Sequence, residues 1–320
     1  NLQMEAQTSK DDWQSNTISE TSFADWLKAA QLPCGFVIGI DGWLVTVSGF
    51  DWLERSILRA GGKLVSHSEN LLDALWLDRP TQPPGAIWQM PQRFAGKTVT
   101  EKLDDLGKKL QNKGCEAILI TRADSLNWLV NLRGGDLACT PIMLCFALFH
   151  RQTGLHVFGD ENRLLGLLDA AVSITSLASF PALLETIGEG GLMIEAASLP
   201  KLMFEQILAS TVKTVQDDCL ITTAKACKNM AELSGFRAAH RRDGIAMVKF
   251  LCWLDQEIRM PNAGFFESEI AMKLQAFREE QEGFIAPSFN TIAGSGPNGA
   301  IVHYRAIAGE DRRLLADDML

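Results

Sequence analysis

No apolar run in this chain is long enough to cross a bilayer. The longest, PIMLCFALF (141–149), falls well short of the about 20 residues a spanning helix needs and reads as a buried strand. Positive charge is also in short supply. Lys and Arg number 30 against 39 Asp and Glu, giving a net charge of −9 and a pI near 5.2. Nucleic acid or an anionic membrane would repel such a chain, so neither is expected as a partner. The seven cysteines (Cys34, Cys115, Cys139, Cys145, Cys219, Cys227, Cys252) contain no CxxC pair and are odd in number. They read as reduced core thiols, the state of a cytoplasmic protein. No Gly-x-Ser-x-Gly elbow, His-Glu-x-x-His helix or Rossmann fingerprint is present, and no targeting segment opens the chain. There is no short-period repeat.

What is there is ordinary globular material. At 320 residues, 47% hydrophobic and 22% charged, the chain has length for two or three domains. The first twenty residues are polar and read as poorly ordered. Residues 22–30 read as a helix, 36–40 as a strand, 51–60 as a helix closed by Gly61-Gly62, and 64–66 as a strand. Pro80, Pro83, Pro84 and Pro91 make 78–93 the best linker candidate. Val99, Leu103, Leu106 and Leu110 then recur at helical spacing. Further alternation follows: strand 117–120, helix 125–130, strands 143–149 and 155–158, helix 162–170, helix 180–187, strand 192–194 and helix 201–209. From 229 to 258 one long helix carries Met230, Leu233, Phe236, His240, Met247, Leu251 and Leu254 on a single face. A second helix covers 267–282.

The stretch PSFNTIAGSGPNGAIVHYR (287–305) is the most informative. Gly294, Gly296 and Gly299 permit backbone angles that other residues avoid, and Pro297 fixes one more. Ala300-Ile301-Val302 reads as a strand that places His303 on one face and Tyr304, the only tyrosine of the chain, on the other with Val302. An imidazole there suits proton transfer or holding a carbonyl, with a structural histidine as the alternative. Gly294-Ser295-Gly296 is no phosphate loop, since neither a lysine nor a helix start follows. His240 reads as a satisfied core residue. His67, His150 and His156 stand at strand ends without carboxylates at ligand spacing. Asn131-Leu132-Arg133-Gly134-Gly135-Asp136 fits a helix C-cap with an ion pair, or a cleft loop in which Arg133 meets an acidic substrate terminus. These residues by themselves give no reaction.

A resemblance adds one. The 287–305 stretch, with NLLDALWLDRP (70–80), FAGKTVTEKL (94–103), DSLNWLVNLRGGDL (124–137), TPIMLCFAL (140–148) and the 225–257 segment, closely resembles the Xaa-Pro aminopeptidases of the creatinase/prolidase superfamily, peptidase family M24. The resemblance implies an α/β and α+β chain: two creatinase-like α/β domains, the first incomplete, at 1–92 and 93–222, then the N-terminal part of a pita-bread catalytic domain at 223–320. It implies hydrolysis of peptides with proline in second position by two divalent ions, usually manganese. His303 matches the family histidine that shuttles the proton or holds the carbonyl, and Phe289 a position near the substrate pocket. The five implied ligands, two aspartates, a histidine and two glutamates, lie downstream of this motif. The first is expected in a strand of the type LLDSG beyond Leu320, and Asp317 and Asp318 precede that strand rather than end it. The chain begins with Asn1 and stops at Leu320, so it reads as an internal piece, inactive and without catalytic metal as given. A homodimer stays open. The alternatives are a prolidase-type dipeptidase or a peptide-binding member without catalysis.

Overall fold

The computed structural model describes residues 2–80, 85–260, 264–315 and 317–320. They form two compact units, one of Ile18–Leu137 and Pro141–Ala231, the other of Asn1–Thr17, Ala138–Thr140 and Glu232–Leu320. The chain starts in the smaller unit with a short helix, α1 (Leu2–Gln7), where the sequence reading expects disorder.

The larger unit opens with α2 (Phe23–Ala29), β1 (Val37–Asp41), α3 (Val47–Arg59) and β2 (Lys63–His67). β1 and β2 pair in parallel, and α3 crosses between them over a core of Leu27, Val45, Phe50, Ile57 and Leu64. α3 starts four residues ahead of the expected position. The Thr46 hydroxyl accepts from the Gly49 N–H at 3.1 Å, and that cap fixes the start.

The proline-rich stretch is not all linker. β3 (Ile87–Gln89) forms there and leads into α4 (Gln92–Ala95); Pro83 and Pro84 lie outside the described residues. Next come α5 (Val99–Asn112), β4 (Cys115–Ile120), α6 (Ala123–Leu129) and β5 (Leu132–Gly134). β5 pairs antiparallel with β3, a short pairing in which no proline N–H is needed. α5 has a full capping box between Thr98 and Glu101.

The remaining elements of this unit are β6 (Phe146–His150), β7 (Gly154–Phe158), α7 (Glu161–Leu164), β8 (Val172–Thr175), α8 (Phe180–Glu185), β9 (Gly191–Ile194), α9 (Lys201–Leu208), β10 (Lys213–Gln216) and α10 (Leu220–Ala226). A six-stranded sheet results, in the order β10-β9-β4-β6-β7-β8. β4 runs parallel to β9 and antiparallel to β6. Its two faces feed separate cores. Ile118, Ile120, Ala147, Phe149, Leu155, Val157 and Met193 face one, while Ala117, Leu119, Leu148, Phe158, Leu192 and Ile194 face the other. Cys115 shares the face of Ile118, three residues on, because a register shift separates Cys115 from Ala117.

Several expectations change. The helix expected at 162–170 stops at Leu164, because Leu165 turns extended and Gly166 has φ +76. β8, β10 and α10 were not expected; the two strands are four residues each and lie at the sheet edges. All seven cysteines are free thiols, but only Cys115 and Cys219 are buried. None of the described helices is long and apolar enough to cross a membrane.

In the smaller unit, α11 begins at the unit boundary (Met230–Glu257) and is followed by α12 (Glu267–Glu279). Phe250, Ile270, Leu274, Ala293 and Leu314 form its core. α11 buries only Ala246 and Phe250. His240 lies on an earlier turn and is exposed, not a core residue. Its Nδ1 lies 3.1 Å from the Phe236 carbonyl one turn before. Among the described residues no strand follows the glycine-rich loop. A 3₁₀ helix (Gly296–Ala300) runs into a turn at Val302 and His303.

Asn127, on α6 and almost wholly buried, holds the approach to β6. Its amide accepts from the Met143 N–H at 2.9 Å and donates to the Met143 carbonyl at 2.8 Å, standing in for a strand partner. Asn127→Ala leaves both groups unmet, at roughly 1–3 kcal/mol each. A urea titration should show a loss of about 2 kcal/mol or more; an unchanged midpoint would contradict this role.

Candidate functional site

The glycine-rich loop is wound around one buried carboxylate. Glu267 opens α12 at a favourable place for negative charge, the positive end of the helix dipole. The next N–H, that of Ser268, donates to Asp311 at 2.7 Å, and the Phe266 N–H donates to Glu269 at 2.7 Å. A bridge between Phe266 and Arg313 brings the 312–314 segment alongside. Glu267 is fully buried and is met on every side. Oε1 accepts from the Ser295 N–H and from the Ser295 hydroxyl at 2.8 Å. Oε2 accepts from the Tyr304 hydroxyl at 2.6 Å and the Arg312 N–H at 3.1 Å. The Asn298 amide donates to both oxygens, at 3.2 and 3.0 Å, and to the Tyr304 hydroxyl at 3.0 Å.

Burial by itself would raise the Glu267 carboxyl. The hydrogen bonds from Tyr304, Ser295 and Arg312 outweigh it and hold the group below its ordinary 4.5. Tyr304 goes the other way: burial and the adjacent Glu267 carboxylate push its phenol well above the ordinary 10. Behind Ser295 stands Arg312, whose guanidinium donates to the Ser295 hydroxyl at 2.9 Å and grips Asp318 through two nitrogens, at 2.6 and 2.9 Å.

Of the three glycines expected to take unusual angles, only Gly296 does, with φ +52. A β-carbon there would lie 2.8 Å from Arg312 Nη1. Gly294 is needed for another reason: its β-carbon would fall 2.9 Å from the Asn298 carbonyl oxygen.

The expected site residues are placed as follows. His303 is exposed in the turn, and its carbonyl accepts from the Gln3 amide at 3.3 Å. Phe289 is 65% exposed and lines a cleft of about 610 Å³ with Ile292, His240, Arg242 and the Asp243–Arg278 ion pair. His303 is not among the lining residues of that cleft. Arg133 lies on β5 in the larger unit and donates to the carbonyls of Leu132 and Asn127 at 2.7 and 3.3 Å. Those bonds fit the helix-end reading. Its expected ion-pair partner, Asp136, pairs with Arg163 instead and also accepts from the N–H groups of Gly85 and Leu144. Sequence reasoning missed Glu267, Ser295, Asn298 and Arg312. The available signal was the acidic first turn, Glu267 and Glu269, of an apolar-striped helix.

Comparison with known proteins is consistent across the chain. Residues 78–232 match the Creatinase/Prolidase N-terminal domain, and 234–320 match Metallopeptidase family M24. The chain thus carries a Creatinase/Prolidase N-terminal segment followed by an M24 metallopeptidase segment. A probable Xaa-Pro aminopeptidase P from Paracoccidioides lutzii is 34% identical over 307 residues, 90% of this chain and 49% of the relative. The X-prolyl aminopeptidase of Caenorhabditis elegans, described as a cytosolic enzyme with a di-nuclear active site, superposes with a TM-score of 0.87 at 28% identity. It covers 99% of this chain, which covers 53% of it. The Xaa-Pro dipeptidase of Bacillus anthracis, at 17% identity and TM-score 0.53, shares the fold. The chain spans about half the length of the curated relatives it matches. Among its described residues no group of three or more His, Cys, Asp or Glu comes together to hold a metal ion.

Two outcomes test this geometry. A carboxyl lowered on folding contributes stability above its unfolded value of 4.5 and loses it as pH falls through the folded value. Wild type and Glu267→Gln should therefore differ in Tm at about pH 6 and converge towards about pH 3; a gap constant across that range would contradict it. Gly296→Ala combines a left-handed backbone with the Arg312 contact and should lose about 1–2 kcal/mol in a denaturant titration.

Proposed function

We propose that the protein carrying this chain is a metal-dependent Xaa-Pro aminopeptidase, releasing the residue before a proline in second position. The observation that carries this reading is the likeness to the C. elegans X-prolyl aminopeptidase over 99% of this chain. Cleaving a prolyl amide passes through a tetrahedral intermediate and expels a secondary amine that must gain a proton. Two divalent ions, manganese by the family resemblance, would supply hydroxide and polarise the carbonyl. The donor set described here does not fit such a pair, so this chain's part is the peptide and the proton. The His303 imidazole relays that proton or holds the carbonyl oxygen. Phe289 offers an apolar wall to the substrate. Arg133 as a contact for an acidic substrate terminus is the least supported assignment, since its guanidinium serves backbone carbonyls.

The same donor set favours a second reading of the 320 residues alone: a peptide-binding chain without catalysis. The two separate cleanly. With manganese, the longer protein should release the N-terminal residue from Xaa-Pro peptides, and His303→Ala should lower kcat by about 10²–10⁴. No release at all would overturn the aminopeptidase reading. For the 320-residue chain, manganese calorimetry should show no tight two-ion site.

A further inference from the structure

His303 sits in a short arch, directly before one of the two feet, and both feet stand on the same group. At one foot, the Asn298 amide donates to both Glu267 oxygens; at the other, the Tyr304 hydroxyl donates to Glu267 Oε2 at 2.6 Å. The feet also bond to each other, Asn298 to Tyr304, at 3.0 Å. Between them the backbone makes two tight steps, Ile301 N–H to the Asn298 carbonyl and Tyr304 N–H to the Ile301 carbonyl, both 3.1 Å. Nothing larger than these turns separates the histidine from its supports. The side chain of His303 itself is exposed, so packing does not place it. The backbone that carries it is tied down at Asn298 and Tyr304, and its own carbonyl accepts from the Gln3 amide at 3.3 Å.

We propose that Glu267 is a positioning residue: acting through Tyr304 and Asn298, its buried carboxylate closes the base of the 298–304 arch and thereby sets where the His303 imidazole stands. A hydrophobic residue would fill the same volume but leave the donors of Ser295, Asn298, Tyr304 and Arg312 without an acceptor. Glutamine would keep the shape and offer one acceptor oxygen in place of two. The inference rests on the proposed role of His303 for its functional meaning, and on geometry alone for the positioning.

The chain has its own probe, since Tyr304 is the only tyrosine. Its ionisation, followed by absorbance near 295 nm, reports one residue. In Glu267→Gln, folded by circular dichroism, the phenol midpoint should fall by about one unit or more, because the adjacent negative charge is gone. The His303 ring resonance, assigned by its loss in His303→Gln, should shift in both Glu267→Gln and Tyr304→Phe. Tyr304→Phe removes one foot of the arch and leaves the carboxylate its other donors, so it decides the matter if Glu267→Gln does not fold. An unmoved His303 resonance in the folded variants overturns the proposal. If the resonance shifts while the longer protein cleaves no Xaa-Pro peptide, the positioning stands and the aminopeptidase reading falls.

Discussion

A carboxylate taken out of water must be surrounded by donors, and that requirement organises the irregular parts of this molecule. Glu267 gathers the loop 295–304 and the returning segment at Arg312. Asp136 does the same in the larger unit, gathering Gly85, Leu144 and Arg163 from three separate stretches. In each case burial works against the charge and the converging hydrogen bonds prevail, so both groups stay acidic. A buried charge of this kind is costly if any partner is removed, which makes it a strict specifier of loop conformation.

The regular part of the fold was legible because periodicity reports burial. The Val99-Leu103-Leu106-Leu110 stripe and the apolar strand at Cys115–Ile120 fold as their patterns require. Long α11 was also found, although Met230, Phe236 and Leu251 on its stripe are more than half exposed. Pattern reading gives a helix its face; it does not say that another element covers that face. β8 and β10 escaped because four residues at a sheet edge carry too little alternation to register.

The candidate site was legible at one end only. The glycines and the His-Tyr pair mark a built loop, but the apolar Ala300-Ile301-Val302 run suggested a strand. In the structure the Asn298 and Ile301 carbonyls are spent on tight turns, which a ladder could not allow. What holds the loop, Glu267, lies some thirty residues upstream. No local rule connects a helix-opening glutamate to a tyrosine at that distance. Such links are tertiary, and one sequence does not reveal them.

The irregularity in β4 has a consequence of a different kind. Strand alternation sends Ile118 and Ile120 to one core and Ala117 and Leu119 to the other, and a register shift between Cys115 and Ala117 puts Cys115 with the first pair. Both cores are built of buried apolar side chains, and β4 is flanked by β9 and β6. Gain or loss of a single residue after the shift would exchange every side chain between the two faces. Substitutions in this strand cost what their volume costs, whereas an insertion or deletion rewrites both interiors at once. The centre of the sheet can drift in composition through its history, but hardly in length.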